Sequence, residues 1–281
     1  MTEGLERFSL NQRTIPSWSI PEVCEALVAA GAPAVGLWRE PVQEFGVEAA
    51  ARLVRSHDLR VSTLCRGGFL TAVDPEARRQ AVDDNRRAID EAATLGAPTL
   101  VLVVGGVPEG SRDLDGARQR VREALGTLAP YAGERGVTLA LEALHPMFTA
   151  DRSVLSTLDQ ALDWAEPFPS EQVGVVVDAY HQWWDPRLAD ALERARGRIA
   201  TYQVCDWIVP LAADALLSRG MMGAGYVDLP ALTAAVDAAG YSGDIEVEIF
   251  NQDVWDAAPE AAFATVLDSF VATLPPVGVP S

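Results

Sequence analysis

Short runs rich in Val, Leu and Ile alternate with longer amphipathic stretches, eight times along the 281-residue chain. Apolar runs of this length suit strands buried on both faces, and the helical stretches between them suit crossovers, so the pattern predicts repeated βα units around a parallel sheet. The predicted strands are "FSLNQ" (8–12), "AVGLW" (34–38), "RVSTLC" (60–65), "TLVLVVG" (99–105), "TLALEAL" (138–144), "VGVVVDA" (173–179), "IATYQVC" (199–205) and "DIEVEIF" (244–250). Between the third and fourth, "DPEARRQAVDDNRRAIDEAATLG" predicts a helix: Asp74 can cap it, Pro75 suits its first position and Gly96 the position past its end. "AAGAP" (29–33) and "TLGAP" (94–98) repeat one device, a glycine stop and a proline before the next strand.

Eight units predict the α/β class and a single (βα)8 TIM barrel over residues 1–281, since such barrels typically use roughly 250 residues for one domain. An open doubly wound sheet is the alternative. Against it, "NQRTIPSWSIPE" after the first strand holds no glycine for a phosphate loop. A barrel gathers its chemistry at the C-terminal ends of the strands. The extended connection "DWIVPLAADALLSRGMMGAGYVD" (206–228) after the seventh strand belongs to that face, and long loops in compact domains are more often functional than idle. Within it, "SRGMMGAG" (218–225) reads as a lid or tight turn ahead of a phosphate loop, and "LPPVGVPS" reads as a loose tail.

The charge balance narrows the partners. With 40 Asp+Glu against 22 Lys+Arg, a formal net charge of −18 repels nucleic-acid backbones and anionic membranes. Cys24, Cys65 and Cys205 are odd in number and far apart, so they predict buried small hydrophobes rather than disulfides or a thiolate site, in a reducing compartment. The beginning "MTEGLERFSLNQRT" lacks a basic start followed by an apolar run, and no stretch approaches the roughly 18 apolar residues of a membrane span. The expectation is a soluble, cytoplasmic protein acting on a small molecule; assembly into a homo-oligomer stays open.

Polar residues at four strand ends share one phase. Period-two alternation sets Glu142 opposite Leu139 and Leu141, puts Asp178 with Gly174 and Val176, Gln203 with Thr201 and Cys205, and Glu248 with Glu246. Carboxylates converging on one barrel mouth repel each other and lose hydration, so they need a cation or shared protons. Three carboxylates, Glu142, Asp178 and Glu248, with the amide oxygen of Gln203, form a hard oxygen set that suits one divalent metal, Mn²⁺, Mg²⁺ or Co²⁺ before a structural zinc. A lone Glu near a strand end is usually solvated or ion-paired; the fourfold agreement in phase is what opposes that reading. His181, three residues past Asp178, reads equally as a packed histidine or a functional one.

"LALEALHPM", "VVVDAYHQWWDP", "TYQVCDW", "SRGMMGAGYVD" and "GDIEVEIF", in this order, resemble the sugar phosphate isomerase/epimerase family of xylose-isomerase-like TIM barrels, which includes ketose 3-epimerases, inosose dehydratase and hydroxypyruvate isomerase. The resemblance implies a divalent metal, Mn²⁺ first and Mg²⁺, Co²⁺ or Zn²⁺ as alternatives, on Glu142, Asp178, Gln203 and Glu248, with His181 contacting substrate. Many relatives carry His at the seventh strand; Gln203 resembles the hydroxypyruvate isomerase branch. The superfamily's zinc endonucleases use many histidines, whereas this chain has only His57, His145 and His181.

The implied chemistry is isomerisation or epimerisation of a sugar, keto-sugar or sugar phosphate through an enediolate, with Glu142 and Glu248 as the two bases. His145 is a substrate contact or alternative base, and Arg219 a ligand for a substrate oxygen or phosphate. Trp38, Trp183, Trp184 and Trp207 could wall a sugar face, and Glu246 would lie one step deeper, either supporting the ligands from behind or paired with an interior arginine such as Arg66. Two other outcomes stand beside this one: a lyase that dehydrates a keto-polyol or cleaves a 3-keto-glycoside, and a non-catalytic metal-containing subunit.

Overall fold

The predicted alternation is realised in a computed structural model that describes residues 4–274; the expected tail, from residue 275 onward, lies outside the described residues. The strands are β1 (Phe8–Asn11), β2 (Ala34–Trp38), β3 (Arg60–Gly68), β4 (Thr99–Val103), β5 (Thr138–Leu141), β6 (Val173–Asp178), β7 (Ile199–Val204) and β8 (Ile245–Val247). All neighbouring pairs are parallel, and β8 pairs with both β7 and β1, which closes the sheet into a (βα)8 barrel.

The largest departures from the sequence reading are at three strand ends: β3 runs on to Gly68, while β5 and β8 stop at Leu141 and Val247. The Glu142 amide still donates to Leu102 O (3.2 Å) and the Glu248 amide to Val204 O (3.1 Å), so the chain leaves the ladder at the two glutamates themselves. The helix Pro75–Leu95 forms as its ends dictate: Asp74 accepts from the Ala77 amide at 2.8 Å, and Gly96 takes the left-handed conformation at φ 77°. Gly31 closes the helix Ile20–Ala30 in the same way at φ 72°.

Apolar packing divides in two. A large shell joins outward strand residues such as Leu100, Leu139, Leu141 and Val175 to helix residues such as Ile89, Leu125 and Leu162, each buried side chain contributing about 1.5–3 kcal/mol. Inside the barrel a small plug holds Cys65, Val101, Ala140 and Val176, topped by Trp38 and Phe250. Ala140 and Val176 precede Glu142 and Asp178 by two positions on the same faces, so the period-two phase read from the sequence holds.

The rest of the interior is polar. Glu246 is fully buried and accepts from Asn11 Nδ2 (2.7 Å), Gln203 Nε2 (3.1 Å), Ser62 Oγ (2.7 Å) and Thr63 Oγ1 (2.7 Å). Of the two expectations for Glu246, the structure takes the supporting position behind Gln203: neutral donors from three strands satisfy this carboxylate, and Arg66 lies over the Trp38 and Phe69 rings instead of pairing with it. A Cβ on Gly36 would sit 2.5 Å from the Glu246 carboxyl carbon, so glycine there makes the room.

The connection after β7 is organised by Asp206, which accepts from the amides of Trp207 (2.8 Å), Gly225 (2.8 Å) and Val227 (2.9 Å). The glycine run thus makes a tight turn, with the Gly225 amide already committed. A two-residue antiparallel ribbon, Asp206–Trp207 with Arg219–Gly220, brings Arg219 back to the barrel mouth. All three cysteines are free and buried, as expected. Among the described residues no helix is long and apolar enough to cross a membrane.

Candidate functional site

Strand geometry delivers the predicted acids to one place. Glu142 follows β5, Asp178 ends β6, Gln203 lies in β7 beside Asp178 in register, and Glu248 follows β8. Their exposures are 5, 1, 1 and 4%, so these groups have exchanged water for one another. Burial, then the Asp178 and Glu248 charges, push the Glu142 carboxyl well above the usual carboxylate range. Burial also raises Asp178, against the opposing pull of Arg219, and raises Glu248 to about 7.

Arg219 supplies positive charge at the centre. Its Nη1 lies 2.6 Å from Glu248 Oε2 and 3.7 Å from Asp178 Oδ2, and its guanidinium packs over the Tyr180 and Phe250 rings at 5.0 and 4.6 Å. One guanidinium among three buried carboxylates leaves negative charge unbalanced. Among the described residues, three buried side-chain oxygens have no hydrogen-bond partner, Asp178 Oδ2 and Gln203 Oε1 in this cluster and Gln182 Oε1 outside it. Gln203 is oriented by its donation to Glu246 Oε1 at 3.1 Å, which leaves the amide oxygen free as an acceptor. Donor atoms of Glu142, Asp178 and His181 lie within 4.8 Å of one another. Unbalanced carboxylates, orphaned oxygens and this close spacing fit a divalent cation, whereas Glu248 groups at the same spacing with Cys65 and Glu246.

His181 is buried behind this cluster, and burial, then Arg219, drives its pKa well below the usual value, so the imidazole is neutral. The His145 amide approaches Nδ1 at 3.2 Å while Arg219 Nη2 lies 3.1 Å from Nε2. Both neighbours are donors and a neutral imidazole has one lone pair, so only one contact is a hydrogen bond. With Nδ1 as acceptor, Nε2–H remains a donor.

The cleft above the acids encloses about 420 Å³ counting its open mouth, and Trp38, Glu142, His181, Arg219 and Glu248 all line it. His145 and Trp184 stand behind His181 instead. His145 accepts from the Met147 amide at 3.2 Å and packs between the Trp184 and Trp207 rings, while Trp184 Nε1 donates to His181 O at 2.7 Å. Trp183 packs on Trp207 with ring centroids 5.7 Å apart.

Two residues not singled out in the sequence belong to the site. Asn11 Nδ2 bridges Glu246 Oε1 (2.7 Å) and Glu248 Oε1 (2.9 Å), while its Oδ1 accepts from Trp38 Nε1 (2.8 Å) and the Arg13 amide (3.0 Å). The same period-two reading of "FSLNQ" would have found it. Arg152 also lines the cleft, arriving from the loop after β5 and bound to Asp214 at 2.8 Å; no strand phase marks a loop residue.

Comparison with known proteins agrees with the barrel fold. The family described as xylose isomerase-like TIM barrel matches residues 24–272. The chain is 24% identical to an inosose isomerase of Bacillus velezensis, covering 82% of this chain and 81% of that one. It is 31% identical to a 3-dehydroshikimate dehydratase of Pseudomonas aeruginosa over 88% of this chain, though that spans only 38% of the longer protein. A crystal structure of a Sinorhizobium meliloti protein is 43% identical, with TM-score 0.93, covering 96% of this chain and 99% of that one. At 21% identity, an IolI structure with a bound zinc atom shares the fold, with TM-score 0.82 over 95% of this chain and 98% of that one.

Proposed function

Because the chain belongs to the xylose isomerase-like TIM barrel family, we propose that it is a divalent-metal-dependent isomerase or epimerase that removes a proton next to the carbonyl of a sugar or keto-sugar. The observation that carries this reading is the convergence of Glu142, Asp178 and Glu248, nearly fully buried, with the unpartnered oxygens Asp178 Oδ2 and Gln203 Oε1. Glu142, Asp178, Gln203 and Glu248 would hold the ion, with Mn²⁺ the first choice for this oxygen-rich set. When bound, such an ion acts as a Lewis acid on a carbonyl oxygen, typically worth several kcal/mol.

The chain's own groups do the proton work. Glu248, which lines the cleft and whose carboxyl burial pushes up to about 7 in the metal-free chain, is the first base, able to accept and return a proton. Glu142, on β5 across the barrel from β8, is the second base, able to deliver the proton to the neighbouring carbon or to the opposite face. Neutral His181 can contact a substrate oxygen from the cleft wall, and Trp38 and Phe250 exclude water above the reacting atoms.

A lyase is the second reading, favoured by the 31% identity to a dehydratase. It uses the same proton abstraction, followed by loss of a leaving group from the next carbon. The test is a screen of ketoses, keto-inositols and keto-glycosides in D₂O with Mn²⁺ present, read by NMR. A carbon-bound proton is expected to exchange in at least one substrate, and Glu248→Gln is expected to abolish that exchange. An isomeric product selects the isomerase, a released water or aglycone selects the lyase, and exchange that survives Glu248→Gln removes Glu248 as a base.

A further inference from the structure

One cation in the cleft wall is uncommitted. Three guanidiniums, Arg66, Arg152 and Arg219, line the cleft with Glu142 and Glu248, above the buried Asp178. Arg219 is bound to Glu248, and Arg152 to Asp214 with Asp151 3.5 Å away. Arg66 has no hydrogen bond or ion pair with any described residue. Its guanidinium carbon instead lies over two ring faces, 5.4 Å from the Trp38 centroid and 4.8 Å from that of Phe69. Stacking of this kind holds a guanidinium while consuming no acceptor, and leaves its N–H fork available.

The surroundings hold that arginine in place. Trp38 is fixed by donation of Nε1 to Asn11 Oδ1 at 2.8 Å. Phe69 has φ 56°, a left-handed conformation uncommon for a non-glycine residue, and is half exposed beside Arg66. The intervening glycines permit close contact: Asn85 Oδ1 accepts from the Gly68 amide at 2.7 Å and Asn85 Nδ2 donates to Gly68 O at 2.8 Å. A Cβ on Gly68 would lie 1.9 Å from Val103 O.

We propose that Arg66 is a specificity residue that receives a carboxylate, so that the substrate is an anionic keto compound such as a keto-uronate rather than a neutral ketose. The proposal rests on the reading of the cleft as a proton-abstracting site and names its substrate class. Phosphate fits less well. The amides beside Arg66 are already committed, Gly68 to Asn85, Phe69 to Val103 O and Leu70 to Val104 O, so no backbone nest is left to surround a dianion. A single planar fork matches a carboxylate.

The test compares D-fructose, D-fructuronate and D-fructose 6-phosphate, which share a carbon skeleton, by calorimetric titration of the Mn²⁺-treated protein. Fructuronate is expected to bind about tenfold tighter than fructose, the order of a charge-assisted bidentate pair, and Arg66→Gln to erase the difference. Arg66→Lys keeps the charge without the fork, is expected to lose part of the preference, and carries the test if Arg66→Gln does not fold. Equal or absent affinity for fructose and fructuronate, a preference for the phosphate, or a preference unchanged in both variants overturns the assignment. Deuterium exchange with the same three compounds separates this from the reaction itself. An Arg66-dependent carboxylate preference without exchange keeps the subsite and removes the proton-abstraction reading. Exchange of fructose with no Arg66 dependence does the reverse.

Discussion

Removing the Asn11 amide should loosen the site more than the loss of one small side chain suggests. In Asn11→Ala the carboxylates of Glu246 and Glu248 lose their shared donor, and Trp38 Nε1 and the Arg13 amide lose their acceptor. Hydrogen bonds to charged groups contribute about 1.5–3 kcal/mol each and neutral ones about 0.5–1.5, which sets a gross loss of roughly 4–9 kcal/mol. Water entering the gap recovers part of this, because carboxylates and an indole N–H all accept hydration, leaving a net cost of about 3 kcal/mol. For a chain of this size that corresponds to a fall of roughly 6–12 °C in Tm. Asn11→Asp keeps the shape but sets a third carboxylate against two others, so metal-free it should fall at least as far. Circular dichroism melts of the three proteins check this. If either variant melts within about 2 °C of the parent, the bridging amide does not hold Glu248, and the reasoning fails.

Two further outcomes follow from the same interior. Gly36→Ala places a methyl against the Glu246 carboxylate, so overpacking should cost about 1–3 kcal/mol, read as a lower midpoint in urea; an unchanged midpoint would show that Glu246 can move. The Glu248 carboxyl is raised from the ordinary 4.5 to about 7 in the folded chain, so its contribution to metal-free stability is present below 4.5 and lost as pH rises through 7. Divalent-ion affinity should run the opposite way, weakening as pH falls through about 7 because protons compete for the same oxygens. Titrations at pH 5.5 and 8 that give one affinity would contradict this.

Much of the site was legible because it depends on short-range rules. The period of two fixed which way Glu142, Asp178, Gln203 and Glu248 point, and the glycine stops at Gly31 and Gly96 fixed where helices end. What escaped depends on contacts between distant strands. Glu246 could be seen to face inward, but its partners Asn11, Ser62, Thr63 and Gln203 come from β1, β3 and β7, and the choice among them over Arg66 is made by barrel closure. Arg66 itself sits at a register shift in the β3–β4 pairing, between Cys65 and Gly67, which ends any extrapolation of strand phase along that edge. His145 and Trp184 look alike in sequence to His181 and Trp38, yet one pair backs the site and the other lines it.

The central claim is that Glu142, Asp178, Gln203 and Glu248 together hold one divalent cation, and direct calorimetric titration of the metal-stripped protein with Mn²⁺ tests it most directly. One ion per chain is predicted, with affinity reduced at least tenfold in both Glu142→Gln and Glu248→Gln, each of which removes a charged oxygen ligand. A wild-type chain that binds no Mn²⁺, Mg²⁺, Co²⁺ or Zn²⁺, or one whose binding is unchanged in both variants, would contradict the account.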